Sequence, residues 1–191
     1  RSKNYRRDFW PAYKAHRDNL KSPDSLEYAL EIVYEGSNSV KCVNRLEADD
    51  LMGMVSSSEK GVSVTIDKDL RCVPGWHWNP DKEESPVYVS VEEADKFFYT
   101  QWMTGDSTDN IPGLWRVGPK KAEKLLDSTP REEWDSAILN QYKEESRPES
   151  KKIDMDPEEF ALAMARCVRI LRNGEYDKAK EEISLWNPII G

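Results

Sequence analysis

The stretch Gly61-Val-Ser-Val-Thr-Ile-Asp-Lys-Asp69 decides the fold class, because a compact apolar segment ends there at two acids. We expect a buried parallel strand, since such strands read as short apolar runs. Open α/β folds place their sites at the carboxyl edge of the sheet, so the strand would deliver Asp67 and Asp69 to that edge. The alternative is a turn, because Asp is a common turn former.

Helices and strands alternate on both sides of this strand. Apolar spacing predicts helices over 25–35, 48–57 and 91–103, and strands over 40–43 and 87–90. This order is typical of a parallel α/β sheet. After Gly105 the pattern predicts four helices, over 119–126, 132–142, 157–172 and 176–183, and no strand. We therefore divide the chain into an α/β region, 1–110, and a helical region, 111–191.

The composition excludes several classes of protein. No segment of the 191 residues approaches the roughly 18 apolar residues of a membrane span, and the basic start lacks the apolar region of a secretory signal. Three cysteines without a CxxC motif argue against a disulfide scaffold or a zinc cluster, and two histidines argue against a histidine-rich metal site. Carboxylates must therefore hold any metal. We expect a cytoplasmic protein with no membrane partner.

Charge is distributed unevenly along the chain. The formal net charge is −8, yet basic side chains concentrate in 1–21 and in 116–124. Two basic segments in an acidic protein suit local contact with a phosphate backbone. The alternative is ordinary variation of a solvated surface.

Seven carboxylates stand at the ends of predicted elements: Glu47, Asp49, Asp50, Asp67, Asp69, Asp106 and Asp109. Each group alone has a simpler explanation, namely helix capping, a turn or an Asx loop. Glu47 and Asp49 can face one site only if Glu47 precedes the helix. Gathered together, the seven acids would repel unless divalent cations neutralised them.

Oxygen ligands without His or Cys select Mg²⁺ or Mn²⁺. Two such ions about 3.5–4 Å apart can activate a water and orient a phosphodiester. The acids therefore predict a two-metal phosphodiesterase.

The segment from Ile111 to Leu126 has a helix–hairpin–helix pattern. Gly113 permits a sharp turn between two helices, and Gly118 before Pro119 exposes backbone N–H groups at a helix start. Such a site binds a phosphate without reading its base, and Lys120 and Lys121 add attraction. A plain αα-hairpin is the alternative.

Together these motifs resemble the flap endonuclease/5′-nuclease family, including the 5′→3′ exonucleases of short-tailed lytic phages. The resemblance rests on Glu-Ala-Asp-Asp (47–50), Thr-Ile-Asp-Lys-Asp (65–69), Gly-Asp-x-x-Asp-Asn-Ile-Pro-Gly (105–113) and the basic segment Asn4–Arg17. It covers nearly the whole chain. It implies a PIN-like or resolvase-like parallel-sheet core with a helical arch in 1–22, followed by the helix–hairpin–helix region.

The resemblance also implies roles for single residues. Glu47 and Asp49 would serve a first metal ion, Asp67, Asp69 and Asp106 a second, with Asp50 and Asp109 as outer or bridging acids. Lys14 and Arg17 would reach the scissile phosphate as catalytic residues. Tyr13 would stack on a base near the 5′ end, with packing beneath the arch as its alternative.

DNA with 5′ ends, flaps or forks is the partner that the resemblance implies, held at the hairpin by Gly113, Gly118, Lys120 and Lys121 with a K⁺ ion. Family members carry two further aspartates upstream of the segment matching Asn4-Tyr-Arg-Arg, and the sequence given starts after both. A longer chain or a companion N-terminal polypeptide would supply them.

We therefore expect a two-metal 5′→3′ exonuclease and flap endonuclease of phage DNA replication or degradation, acting in the host cytoplasm. One alternative is a DNA-structure-binding subunit that is inactive without its companion. Another is a helical accessory protein of a polymerase, against which the acidic clusters argue.

Overall fold

A three-stranded sheet forms the basis of the α/β region. The computed structural model describes residues 4–21, 23, 25–36, 43–147 and 152–189. In it, β1 (Val62–Val64), β2 (Gly75–Trp78) and β3 (Val87–Val89) lie in the order β1-β2-β3. β1 runs parallel to β2, whereas β2 and β3 are antiparallel. The predicted α/β class is confirmed, but the sheet is mixed rather than wholly parallel.

The predicted burial of the strand at Gly61–Ile66 is wrong. Ser63 is 3% exposed, whereas Val62 and Val64 are 44% and 52% exposed. The register explains this, because Ser63 lies opposite the buried His77, and Val62 lies opposite the half-exposed Trp76. The side chains of a strand alternate between faces, so the polar residue points inward and both valines point outward.

The apolar sheet face is the name we give to this outer surface, formed by Val62, Val64, Trp76 and Tyr88. All four side chains are at least 41% exposed, and the Trp76 and Tyr88 rings meet edge to face with centroids 5.3 Å apart. Among the described residues nothing buries this face. Such a contiguous apolar surface is unusual on a free domain.

Strand β2 lies within 74–86, although the sequence of this segment is rich in turn-forming residues. Its first residue, Gly75, has φ +123° and passes so close to α2 that a Cβ would lie 2.3 Å from the Ser56 carbonyl oxygen. Only glycine fits there without strain. The predicted strand over 40–43 lies outside the described residues except for Val43, which is not in a strand.

Within the part of the chain that the structure describes, six α-helices lie at predicted positions: α1 (Ser25–Gly36), α2 (Ala48–Ser56), α3 (Val91–Thr104), α4 (Pro119–Ser128), α5 (Trp134–Glu144) and α6 (Pro157–Val168). A capping box of Ser90 and Glu93 begins α3, and Asp156 caps α6 ahead of Pro157. α6 ends at Val168 rather than at Arg172, because Arg169 adopts extended backbone. No helix in the described ranges is long and apolar enough to cross a membrane.

The segment predicted as a helix over 176–183 is instead a small hairpin of β4 (Tyr176–Asp177) and β5 (Glu182–Ile183). The Asp177 carboxylate accepts hydrogen bonds from the N–H groups of Ala179 and Lys180, which favours a turn over a helix. The prediction that no strand follows Gly105 is therefore wrong.

One aromatic core joins the two predicted regions. Trp102 of α3 is fully buried, and its indole N–H donates to the carbonyl of Ala161 in α6 at 2.7 Å. The Tyr142 hydroxyl of α5 donates to the Trp102 carbonyl at 2.6 Å. Helix α3 thereby fixes the helices that follow against the α/β region, and the loops at its ends are held in place. The boundary at residue 110 stays a prediction.

Candidate active site

Six of the seven predicted metal-binding acids line one cleft of about 360 Å³: Glu47, Asp49, Asp67, Asp69, Asp106 and Asp109. They come from the start of α2, the segment after β1 and the loop after α3. Lys14, Arg17 and Tyr13 line the same cleft from the N-terminal segment. The structure therefore gathers acids that lie far apart in sequence.

The start of α2 orients the first acids. Glu47 is the N-cap, with extended backbone, and Asp49 lies in the first turn. Glu47 thus precedes the helix, as facing a common site with Asp49 requires. Acids in this position also interact favourably with the positive end of the helix.

The segment after β1 forms a short 3₁₀ helix, Lys68–Cys72. Asp67 caps it by accepting from the Asp69 N–H at 2.9 Å, which keeps the two acids adjacent. The Gln101 amide of α3 donates to the Asp69 carboxylate at 2.7 Å. Its own Oε1 is buried and has no hydrogen-bond partner among the described residues. An unsatisfied buried oxygen in an acidic cleft is a feature that a cation or ordered water would satisfy.

The loop after α3 closes on itself through two glycines. Gly105 and Gly113 have φ +65° and +59°, and a Cβ on Gly113 would lie 2.4 Å from the Gly105 nitrogen. Backbone hydrogen bonds join Asp106 and Ile111 in both directions, at 2.8 and 2.7 Å. Gly113 is buried, and its predicted contact with DNA stays a prediction. Its role is to let the loop hold Asp106 and Asp109 toward the cleft.

One part of the cleft, which we call the lysine side, balances its own charge. The Lys14 ammonium lies 2.7 Å from Glu47 Oε1 and 3.2 Å from Asp109 Oδ2. The Arg17 guanidinium lies 2.9 Å from Asp109 Oδ1. The two cations predicted to reach a phosphate therefore bind two of the predicted metal ligands. Lys14 stands where a bound cation would otherwise neutralise these carboxylates.

The other part, which we call the aspartate side, holds Asp67, Asp69 and Asp106. Burial, with the charges of Asp67 and Asp106, raises the pKa of Asp69 to about 6. Burial, followed by the charges of Asp67 and Glu47, also raises the pKa of Asp49. For Asp69 and Asp49, the neighbouring carboxylates disfavour the ionised form. The aspartate side is therefore an anionic site with excess charge.

Two of the predicted site residues, Asp50 and Tyr13, are buried in the structure. Asp50 is fully buried and binds Arg6 through both carboxylate oxygens, at 2.7 and 2.9 Å, so it has no oxygen directed at the cleft for a metal ion. Tyr13 is 2% exposed, and its hydroxyl donates to Glu47 at 2.7 Å. A ring so buried cannot stack on a base, and its packing beneath the N-terminal segment explains it instead.

Helix α4 presents the predicted phosphate site. Gly118 is its N-cap, Pro119 is its first residue, and a Cβ built at Gly118 would meet nothing within 4 Å. Lys120 and Lys121 are exposed on the first turn, where Lys121 donates to the Arg116 carbonyl at 3.0 Å. The start of the helix therefore faces open space, as an anion site at a helix N-terminus requires.

The acids supply the right donor atoms for hard cations, but their carboxylates stand apart across the cleft. Within the described ranges, no three His, Cys, Asp or Glu side chains stand close enough to hold one ion as they are. Without a cation between them, like charges on the aspartate side make a closer approach unfavourable, and on the lysine side Glu47 and Asp109 are bound to Lys14.

Sequence reasoning missed Arg6 and Gln101. Arg6 stands beside Arg7 in a basic segment, and nothing local marks it as the buried member of the pair. Gln101 lies on a helix four residues before Gly105, and only the fold brings it to Asp69.

Comparison with known proteins identifies relatives that are nucleases. The exonuclease of Escherichia phage T7 is 27% identical over 216 residues, covering 98% of this chain and 71% of the relative. The exodeoxyribonuclease of Enterobacteria phage T3 is 26% identical over 216 residues, covering the same shares. The resemblance to 5′-nucleases is confirmed. No family model matches the chain.

Solved structures show the same fold. A bacteriophage T5 flap endonuclease, in a complex with DNA and metal ions, has a TM-score of 0.60 at 16% identity, covering 88% of this chain and 71% of that one. A zinc-bound T5 5′-exonuclease has a TM-score of 0.59 at 15% identity, covering 87% and 70%. At such low identity these matches establish the fold only.

Proposed function

We propose that this chain is a metal-dependent 5′→3′ exonuclease and flap endonuclease of phage DNA replication or degradation. The observation that carries the proposal is the cleft, in which six separated acids meet Lys14 and Arg17. The relatives are named as exonucleases, and the T5 flap endonuclease is described in complex with DNA and metal ions. Carboxylates that can bind metal ions, next to the Lys14 and Arg17 side chains that can bind a phosphate, fit the hydrolysis of a phosphodiester.

The carboxylate oxygens of the cleft have the donor chemistry that Mg²⁺ or Mn²⁺ prefers, and two such ions would draw the separated acids together. Lys14 already acts as a stand-in cation between Glu47 and Asp109. The Asp67, Asp69 and Asp106 carboxylates would hold one ion, and Glu47 with Asp49 the other. When bound, such ions lower the pKa of a water and neutralise the charge of the phosphate and leaving oxygen.

Lys14 and Arg17 would bind the scissile phosphate once ions occupy their acidic partners. Lys14 has φ +51°, a left-handed conformation uncommon for a side-chain-bearing residue. Its N–H donates to the Asp109 carbonyl at 2.9 Å, which fixes the backbone at the edge of the cleft. The chain thereby holds both cations over the acids, and their flexible ends can move from a carboxylate to a phosphate.

The start of α4 would hold the DNA backbone through Gly118, Lys120 and Lys121, with K⁺ as the accompanying ion. Replacing Lys120 and Lys121 by Ala should weaken binding to a flap in Ca²⁺ and reduce the slope of log affinity against log salt by about 1 per lysine. Lys178→Ala, an exposed lysine beyond β4, is the control. An unchanged slope in the double variant would remove the hairpin from the binding surface.

We also propose that an N-terminal polypeptide covers the apolar sheet face. This polypeptide would be either part of the same chain or a separate companion. The phage relatives extend beyond the 71% of their length that this chain matches. An uncovered apolar face binds the dye ANS, so the isolated chain should bind it, and Trp76→Ser should bind it less. Absence of ANS binding by the isolated chain would mean that the face is already covered.

Cleavage of a 5′-labelled flap with Mg²⁺ tests the proposal. We expect release of short 5′ products by the chain together with its companion, and loss of at least about a thousandfold in rate for Asp67→Ala, since several kcal/mol of charge stabilisation is removed. Asp81→Ala, an exposed acid of the turn after β2, is the matched control. Equal activity in Asp67→Ala would contradict the nuclease assignment.

The second candidate function is a DNA-structure-binding subunit without nuclease activity. It is favoured by the ion pairs that Lys14 and Arg17 form with Glu47 and Asp109, two carboxylates that a metal ion would need. It predicts salt-dependent binding to forked DNA without metal-dependent turnover. Efficient cutting by the isolated chain would exclude it.

A further inference from the structure

Asp50 and Arg6 form a buried ion pair directly behind the cleft. The side chains are 0% and 2% exposed. The Arg6 guanidinium donates to both Asp50 oxygens, to the Cys167 carbonyl and to the Arg169 carbonyl. A charge so deeply buried is costly unless every donor has a partner, and this one is surrounded by acceptors from two elements.

Stability alone does not explain why this pair is ionic. Buried ion pairs are often no more stabilising than apolar side chains of similar volume, although removing one partner alone is strongly destabilising. An ionic pair at this position is therefore expected to have a role other than stability. Its position supplies one, because both of its members also bond Glu47.

Both the backbone and the carboxylate of Glu47 depend on this pair. Asp50 Oδ2 accepts from the Glu47 N–H at 3.0 Å, which closes the capping box at the start of α2. Arg6 Nη1 lies 3.4 Å from Glu47 Oε2, the oxygen that also accepts from the Tyr13 hydroxyl at 2.7 Å.

The other end of the pair is anchored in the helical region. Asp50 Oδ1 accepts from the Leu171 N–H at 3.3 Å, and Arg6 bonds the carbonyls at the end of α6. The segment after α6 therefore supports the start of α2 from behind. If Glu47 turned away from the cleft, its carboxylate would lose its bonds to the Arg6 guanidinium and the Tyr13 hydroxyl, which belong to two buried side chains.

We propose that Arg6 and Asp50 are positioning residues that orient Glu47 toward the cation site, and that Asp50 is not itself a ligand. This inference rests on the proposed function. Partners of a metal ligand typically change metal affinity or activity by about 10–100-fold when removed.

The test replaces the pair by apolar residues of similar size, Arg6→Met with Asp50→Leu. We expect this double variant to fold, to bind Mn²⁺ alone about tenfold more weakly by electron paramagnetic resonance titration, and to lose flap kcat with little change in KM. The surface pair of α5 and α6, Lys143→Met with Glu158→Leu, is the control and should change neither value. Unchanged Mn²⁺ affinity and kcat in a folded double variant would overturn the proposal.

A double-mutant cycle with Glu47→Gln separates positioning from a general structural effect. If Arg6 and Asp50 act through Glu47, their replacement in the Glu47→Gln background should cause no further loss of Mn²⁺ affinity. Additive losses would overturn the proposal. If the double variant does not fold, Arg6→Lys replaces it in the double-mutant cycle. Lysine keeps the positive charge but lacks the planar guanidinium that donates to both Asp50 oxygens, and the same two outcomes decide.

The wild-type chain distinguishes the two levels of inference. If the wild type, with its companion, neither binds Mn²⁺ nor cuts a flap, the proposed function fails, and the positioning role fails with it. If the wild type does both and the double variant matches it, only the positioning role fails.

Discussion

The two sides of the cleft differ in how their carboxylates are neutralised. On the lysine side, Glu47 and Asp109 lie within 3.2 Å of the Lys14 ammonium, so the protein supplies its own cation. On the aspartate side, burial and neighbouring carboxylates raise the pKa of Asp69 to about 6. A site that balances half of its charge and leaves the other half in excess is prepared for an external cation on that second half.

The largest difference between the sides should be in metal affinity. We expect Asp67→Asn to weaken Mn²⁺ binding by about 100-fold and Glu47→Gln by about tenfold, because an ion at Glu47 must first displace Lys14. Titration followed by electron paramagnetic resonance measures both, with Asp81→Asn as the control. Equal losses, or a larger loss in Glu47→Gln, would mean that the two sides do not differ as described.

Removing the Lys14 ammonium should change the Mn²⁺ affinity less, and in the opposite direction. We expect Lys14→Met to bind Mn²⁺ about fivefold more tightly, since the ion no longer competes with an ammonium, while flap cleavage falls. The same titration measures the affinity, and Lys82→Met, an exposed lysine of the turn after β2, serves as the control. Weaker Mn²⁺ binding in Lys14→Met would show that Lys14 supports the ions rather than competing with them.

The smallest effect concerns stability without metal. Asp69 has a raised pKa in the folded state, so it stabilises the fold most below about pH 4, and this contribution is lost as pH rises through 6. At pH 7, Asp69→Asn should therefore raise the free energy of unfolding on the order of 1 kcal/mol, allowing for solvent screening, and the gain should vanish at pH 4. Urea unfolding at both pH values checks this. Destabilisation by Asp69→Asn at pH 7 would contradict the excess charge.

The acids and the helix starts could be predicted because their signals are local. Glu47 and Asp49 stand at a helix N-terminus, Asp67 follows an apolar segment, and Gly118 precedes Pro119 at the start of α4. Each of these signals depends on a few neighbouring residues, and the structure shows the predicted local feature.

At Asp50, Tyr13 and β1, what the sequence pattern did not show depends on distant partners. Asp50 resembles a ligand by its position beside Asp49, but its role is set by Arg6, which lies 44 residues away in sequence. The position of Tyr13 in the sequence matches a stacking ring of the family, whereas in the fold its hydroxyl donates to the partly buried Glu47. Alternation in β1 shows that its two faces differ, but the burial of Ser63 instead of the valines depends on the register with β2.

The assignment rests on cations that bridge the acids of the cleft, and anomalous diffraction from a crystal soaked in Mn²⁺ tests it most directly. The account predicts two manganese peaks about 3.5–4 Å apart, one bound by Asp67, Asp69 and Asp106, the other by Glu47 with the Lys14 ammonium displaced. A cleft without manganese, in which Lys14 still binds Glu47, would contradict the account.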